Sequence, residues 1–500
     1  MVSKSINEIN ERIKDGSVSV VTAEEMVGIV AELGAQGAAK EVDVVTTGTF
    51  GAMCSSGVFL NFGHSEPPIK MQRIWLNDVE AYTGVAAVDA YIGATQVSET
   101  LGMEYGGAHV IEDLIKGNAI EVHATSPGTD CYPRKVLDTT IDIDDLNQAI
   151  MLNPRNAYQR YNAATNSTSQ KLYTYMGLLM PNFGNVTYSG AGVLSPLSND
   201  PEYRTIGTGT RIFLGGAQGY IVGQGTQHSS TNGFGTLMIQ GDLKEMDQEF
   251  INASTFTGYG TSLYVGMGIP IPVLDEKIAQ ATAVSDADII TKVLDYGVPS
   301  RDRPVVRQVT YEELRSGSID IKGCEVVTSS LSSFKRSRQV ASILKDWIAH
   351  GEFFLSQPAE RLPLDTISKP MKQTRGTLMV KNIMTKNVIT IHKNASVYEA
   401  AKKIMDVSFT HLPVVTENNT LVGIVTAWDI SKAVAQNTFD LVENIMTKKV
   451  VTAMDSEQVT LAARRLEQYR VSAMPVVDGQ NHVIGIITSD DISMLFARRD

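Results

Sequence analysis

Cysteine is scarce in this chain: 500 residues contain three, Cys54, Cys131 and Cys324. No two of them stand at C-x-x-C or zinc-knuckle spacing, which excludes a disulfide scaffold, a dithiol redox motif and a cysteine-based metal centre, and points to a reducing compartment. No apolar run reaches the roughly 20 residues of a membrane span. The N-terminus, Met1-Val2-Ser3-Lys4-Ser5, carries no apolar leader; the expectation is a cytoplasmic protein without membrane contact. Positive charge is short as well, 43 Lys and Arg against 55 Asp and Glu, for a net charge of -12. From Gly376 onward 13 basic residues balance 13 acidic ones, so the whole excess lies in the first 375 residues. An acidic body lacks the clustered cations that neutralise phosphates, which excludes nucleic acid as a partner.

What is present is a pair of thiols in turn-forming sequence. Cys54 lies in Gly51-Ala52-Met53-Cys54-Ser55-Ser56-Gly57 and Cys131 in Ser126-Pro127-Gly128-Thr129-Asp130-Cys131-Tyr132-Pro133-Arg134-Lys135. Gly, Pro and Ser at this density favour loops, and loop side chains carry chemistry more often than packing. Arg134 and Lys135 are cations beside Cys131, the setting that favours a thiolate. His64 and Glu66 follow Cys54 in the same stretch and are acid–base candidates beside it. His109 and His123 are close to the Cys131 loop in sequence. Cys324 precedes an apolar strand and reads as structural.

Along the body, helices are predicted over 5–15 and 23–39, the second opening on Thr22 and Glu25 at capping-box spacing. A short buried strand, Asp43-Val44-Val45-Thr46-Thr47, then runs into a glycine-rich loop over 48–57. Residues 184–268 hold 17 of the 41 glycines, which predicts many short strands with tight connections. Within it, 215–219 and 223–228 have the composition of anion-binding turns. Helix is expected over 274–283, 287–294 and 337–349, and a linker over 358–376.

The C-terminal part is an internal repeat at a constant offset of 62 residues. Ile383-Met384-Thr385 matches Ile445-Met446-Thr447, and Pro413-Val414-Val415 matches Pro475-Val476-Val477. Gly423 to Ile430 matches Gly485 to Ile492. Each unit reads as strand, helix, strand, strand, helix. These residues resemble a tandem pair of CBS domains, over 381–437 and 442–500. The resemblance implies an adenosine ligand held at the Thr-x-x-Asp of the last strand-to-helix junction, which is Thr426/Asp429 and Thr488/Asp491, with His411 and Pro413 on the preceding strand. A carboxylate accepts both hydroxyls of a cis-diol and the helix N-terminus adds polar contacts; the same pattern is also a helix cap. Trp428 and Asp490 fill the variable slots, and neither is basic, so a cationic adenosyl compound, S-adenosylmethionine, is expected over AMP or ATP. Arg464 and Arg465 on the preceding helix argue the other way.

With both cysteine loops and the CBS pair, residues 1–365 resemble the homocysteine-biosynthesis family of methanogenic archaea, joined through a linker over 366–380. The fold class expected is α+β, a large glycine-rich mixed body followed by the CBS pair. The resemblance implies an L-aspartate semialdehyde sulfurtransferase in which a cysteine persulfide supplies the sulfur of L-homocysteine. Cys131 is assigned as the persulfide carrier and Cys54 as the helper thiol, roles that the residues alone leave exchangeable. The chain has no cluster motif, so the reductant is expected from elsewhere, with no resident metal; the resemblance implies a small ferredoxin-like iron–sulfur partner. A homodimer through the CBS domains is the default assembly. Two alternatives stand beside this reading: an NAD-dependent enzyme of inosine-monophosphate-dehydrogenase type, and a non-catalytic adenosyl-ligand sensor.

Overall fold

A computed structural model describes residues 3–371, 378–407, 409–438 and 440–497. Residues 372–377, within the expected linker, and 498–500, at the end of the second repeat, lie outside the described residues. The chain divides into two compact units, Met1–Lys369 and Pro370–Asp500.

The body opens on two helices whose starts are fixed locally. Ser5 and Glu8 cap Ile6–Asp15, and Thr22 and Glu25 cap Ala23–Glu41, each pair exchanging side-chain and backbone bonds. The second helix is broken at Gly34, whose φ of 67° is left-handed. Buried Asp43 ties this region down: its carboxylate accepts from Lys4 at 2.8 Å and Arg12 at 2.7 Å. With both cations in place the buried charge is compensated, and losing either leaves it exposed to the desolvation penalty.

Among the described residues, a nine-stranded sheet dominates the body. Its path runs Ile251–Phe256, Gly260–Gly268, Arg211–Leu214, Ala217–Gln224, Leu237–Asp242, Gln148–Asn156, Gly57–Asn61 and Asp89–Gly93, with Thr49–Ala52 also paired to Gly260–Gly268. Five of these strands belong to the glycine-rich stretch 184–268, whose short strands and tight turns are as expected. A six-stranded sheet carries the hairpin Ile120–Thr125/Val136–Ile141, and a second six-stranded sheet contains Ala163–Thr165, Val186–Tyr188 and Ile290–Asp295. The main core is aliphatic, with Val58, Leu60, Ile74, Ile92, Leu237 and Val265 buried between the sheets and the helix Gly107–Ile115.

Four expectations change. The stretch after Thr47 is not all loop, because Thr49–Ala52 forms a strand against Met267–Tyr264. Residues 287–294 are not a helix: Ile290–Asp295 pairs on both sides, antiparallel to Val305–Thr310 and parallel to Ala163–Thr165. The β-branched Ile289-Ile290-Thr291 favours that outcome. Cys324 opens the strand Cys324–Ser330 but is exposed, so it fills no core. The segment read as a linker begins on the body: Leu362 is buried, Glu360–Arg361 pairs with Gly207–Thr208, and the Thr366 and Ser368 amides donate to Ser230 and Ser229.

The second unit holds two three-stranded sheets related by the repeat, Ile391–His392/His411–Val415/Leu421–Thr426 and Ala453–Met454/Ala473–Val477/Val483–Thr488. The strand–helix–strand–strand–helix order of each repeat is as expected. The repeats exchange their leading segments: Thr385 bridges Ile486, and Thr447 bridges Ile424. A Cβ on Gly485 would strike Met384, and one on Gly423 would strike Met446.

Candidate active site

Cys54 sits in the turn between strands Thr49–Ala52 and Gly57–Asn61, closed by the Ser56 amide donating to the Met53 carbonyl at 3.0 Å. The turn is held from below by Asn153, whose amide donates to Ser56 Oγ at 2.9 Å, while Ser55 Oγ donates to Asn153 Oδ1 at 3.2 Å. Gly57 is required by close approach, since any side chain there would collide with the Tyr91 hydroxyl. The thiol is half-buried, and Ser262 Oγ donates to its sulfur at 3.2 Å.

This sulfur faces a cavity of about 680 Å³, within the size range of small-molecule sites. Five tyrosines line it: Tyr158, Tyr161, Tyr175, Tyr259 and Tyr296. Their rings pack edge to face or tilted, Tyr158 against Tyr161 at 4.5 Å and Tyr175 against both Tyr259 and Tyr296 at 5.9 Å. The hydroxyls of Tyr175 and Tyr296 bond at 2.7 Å. Burial, and then the neighbouring Cys54 sulfur, push Tyr259 up to about 12. Burial likewise pushes Tyr158 up to about 12, and Tyr161 and Tyr296 well above the usual range. These phenols therefore stay protonated and act as hydrogen-bond donors. The charged residues of the lining are three arginines, Arg155, Arg301 and Arg303, with no carboxylate among them.

Cys131 is placed differently. It is exposed, on the hairpin loop between Ile120–Thr125 and Val136–Ile141, and is not part of the Cys54 cavity lining. Arg134 uses its guanidinium on the Pro67 carbonyl at 2.9 Å and on the Glu66 carbonyl. His64 stacks on Tyr132 with ring centres 5.9 Å apart. The 62–68 segment therefore lies against the Cys131 loop, and His64 and Glu66 do not line the Cys54 cavity. His109 caps its own helix, with Nδ1 accepting from the Gly106 amide at 3.2 Å, and burial lowers its pKa. His123 pairs with Asp138 at 2.6 Å on the neighbouring strand. Of the two glycine-rich turns, 223–228 reaches the cavity, through Gln227.

In the second unit, a cavity of about 370 Å³ is lined by Thr385, Asn387, His411, Thr488, Asp490 and Asp491 among others. Thr488 and Asp491 form a capping box in which Asp491 Oδ2 accepts from the Thr488 amide at 2.8 Å and its hydroxyl at 2.7 Å. Thr426 and Asp429 repeat it at 2.8 and 2.7 Å. In both boxes the bonds converge on Oδ2, which leaves Oδ1 for a ligand hydroxyl. His411, its pKa lowered by burial, lines the cavity through the strand that also buries Pro413, and its Nε2 lies 3.1 Å from Ser472 Oγ. Arg465 is taken up by Glu457 and Arg464 is exposed, so neither cation lines the cavity.

A half-buried thiol in a phenol- and arginine-lined cavity, on a body followed by a duplicated module, is the arrangement of a two-part protein with a small-molecule site on its body. Residues 18–355 match the family described as "Homocysteine biosynthesis enzyme, sulfur-incorporation", and residues 380–436 and 442–498 match the CBS domain. Similar proteins include an L-aspartate semialdehyde sulfurtransferase of Methanosarcina acetivorans, 66% identical over 100% of both chains. Another of the same description, from Methanocaldococcus jannaschii, is 55% identical over 99% of both chains. A solved CBS domain pair in complex with 5′-methylthioadenosine and S-adenosyl-L-methionine is 46% identical over 25% of this chain and 99% of its own, with a TM-score of 0.24. The chain belongs to the homocysteine biosynthesis family and is a sulfurtransferase with a C-terminal CBS pair. That membership sets aside the dehydrogenase alternative. No helix among the described residues is long and apolar enough to cross a membrane.

The tyrosines and arginines of the cavity were missed in the sequence. A signal existed in Asn153-Pro154-Arg155-Asn156-Ala157-Tyr158-Gln159-Arg160-Tyr161-Asn162, where arginine, tyrosine and amide side chains crowd together without helical or strand periodicity.

Proposed function

We propose that the chain converts L-aspartate semialdehyde to L-homocysteine, with Cys131 taking up sulfur as a persulfide and Cys54 working at the cavity where the aldehyde binds. The observation that carries the reading is the division of labour in exposure: one thiol open to a donor of sulfane sulfur, the other facing a cavity with Ser262 donating to its sulfur and Tyr259 beside it. Cys54 attacks the inner sulfur of the Cys131 persulfide, forming a disulfide and releasing hydrosulfide. Hydrosulfide adds to the aldehyde carbon. Two electrons and two protons then turn the adduct into a thiol and expel the oxygen as water, and two further electrons and protons restore both thiols. The phenols supply donors for the developing alkoxide. The three cysteines stand at no cluster spacing, and the reductant is taken to be a separate one-electron donor, for which a small iron–sulfur protein fits. For the thiols to meet, the exposed 126–135 loop must close toward the cavity.

The CBS pair is proposed to bind S-adenosylmethionine. Asp490 and Asp491 line the second-repeat cavity and no lysine or arginine does, which favours a sulfonium over a polyphosphate. Exposed Tyr398, Met405 and Trp428 on the helices Val397–Val407 and Ala427–Ala435 offer apolar area to a second copy.

The test is intact mass after incubation with polysulfide, whose sulfane sulfur the Cys131 thiolate attacks with a shorter polysulfide as the leaving group. One added sulfur retained in Cys54→Ser and lost in Cys131→Ser supports the roles; loss confined to Cys54→Ser exchanges them. No sulfur on any variant removes the persulfide step.

A further inference from the structure

The three arginines of the Cys54 cavity are not equivalent. Arg155 is engaged, donating from Nε to Thr226 Oγ1 at 3.1 Å and from Nη1 to Gln227 Oε1 at 2.9 Å. Arg301 is exposed and lies 3.7 Å from Asp302. Arg303 differs from both: its Nε is buried with no hydrogen-bond partner, and among the described residues no carboxylate pairs with it. Its guanidinium carbon instead lies over the Tyr296 ring, 4.0 Å from the centroid.

An unpartnered buried donor on a cation is costly, by roughly 1–3 kcal/mol for the donor alone. A fold that keeps such a cation in the lining of the cavity that Cys54 also faces gains from it when an anionic ligand arrives. Stacking on Tyr296 fixes the guanidinium plane, and Tyr296 is fixed in turn by its 2.7 Å bond to Tyr175. A fixed planar fork with free N–H groups matches a carboxylate bidentately, which an ammonium or a single hydroxyl does not. With no acidic side chain in the lining, nothing inside the cavity competes for it.

We propose that Arg303, braced by Tyr296, is the specificity-determining residue of this cavity and binds the carboxylate of a small amino-acid-like aldehyde whose other end reaches Cys54. That the carboxylate belongs to a substrate of sulfur transfer rests on the reading above; that the cavity reads a carboxylate does not. Polar contacts for an accompanying ammonium come from the amide oxygens of Asn162 and Gln227 and from the phenol faces.

Two measurements on the full chain separate the claims. In the first, alkylation of Cys54 by iodoacetamide is followed by peptide mass with L-2-aminobutyrate, which carries carboxylate and amine, or propylamine, which lacks the carboxylate. Protection by L-2-aminobutyrate but not propylamine is expected in the native chain, lost in Arg303→Met and partly kept in Arg303→Lys. Equal protection in native and Arg303→Met, or none in the native chain, overturns the carboxylate site whatever the reaction proves to be. In the second, homocysteine formation is measured with sulfide and a chemical reductant. Arg303→Met should raise KM for L-aspartate semialdehyde about tenfold to hundredfold, as expected for losing a charge-assisted pair, with sulfur loading unchanged. It should also abolish the preference over butyraldehyde. Protection without homocysteine formation by the native chain would retain the carboxylate site and discard the sulfur-transfer reading; an unchanged KM discards the site.

Discussion

Ser262 Oγ donates to Cys54 Sγ at 3.2 Å, joining residues 208 positions apart. The contact exists because Gly260–Gly268 is paired with Thr49–Ala52, Tyr264 opposite Ala52, which sets the hydroxyl beneath the cysteine turn. Replacing Ser262 with Ala removes the donor at little cost to folding, about 1 kcal/mol for a single hydrogen bond. The expected result is a severalfold change in the iodoacetamide rate of Cys54 with Cys131 unaffected. If the rate at Cys54 is unaltered, the hydroxyl has no part in setting that sulfur's reactivity.

Tyr259 is the phenol beside the same sulfur. Held up at about 12, it stays protonated through the ordinary tyrosine value of 10.0 and is a donor there. Tyr259→Phe should slow homocysteine formation by about 10²-fold, leave sulfur loading intact, and remove no limb from the pH profile near that value. A lost alkaline limb would mean that the native tyrosine titrates, contrary to the burial that holds it protonated.

Gly57→Ala tests the packing under the cysteine turn. The new methyl would meet the Tyr91 hydroxyl inside a filled core, and overpacking of this kind costs about 1–3 kcal/mol. Thermal unfolding of the body should shift down accordingly. An unshifted transition would show that Tyr91 swings clear without cost.

In the CBS pair, Asp490 is in the cavity without being part of the capping box, so Asp490→Asn removes charge and leaves the cap. Calorimetric titration should show the native chain preferring S-adenosylmethionine over uncharged S-adenosylhomocysteine, and the variant losing that preference on the order of fivefold. ATP binding in place of either compound would overturn the sulfonium argument.

The Arg204–Asp275 pair gives a pH dependence. Two bonds of 2.9 and 2.7 Å from Arg204, and then the Ile278 amide, lower Asp275 from 3.8 to about 2. A depressed carboxylate contributes stability above its unfolded value of 3.8, and the contribution is lost as pH falls toward about 2. Asp275→Asn should therefore narrow the difference in melting temperature between about pH 5 and about pH 3. An undiminished difference would assign the acid sensitivity to other carboxylates.

The parts that were readable in the sequence are those whose causes are local. The capping boxes at Thr22/Glu25, Thr426/Asp429 and Thr488/Asp491 are set by residues three apart, and the CBS pair is written as an ungapped repeat. Ile290–Asp295 was misread because a short apolar run bounded by polar residues suits either a helix or a buried strand, and its two partner strands decide between them. His64 was placed beside Cys54 by proximity along the chain, yet the fold turns it onto Tyr132.

The sequence by itself determined that this chain has two loop thiols, an acidic glycine-rich body and a duplicated C-terminal module, because composition, turn residues and repeats need no partner to be recognised. Only the tertiary structure decided which thiol faces a cavity, and which tyrosines and arginine surround it. Those walls come from segments between Ala52 and Leu331. Their juxtaposition is fixed by sheet pairing and burial, whose energies depend on contacts between residues that carry no mark of one another along the chain.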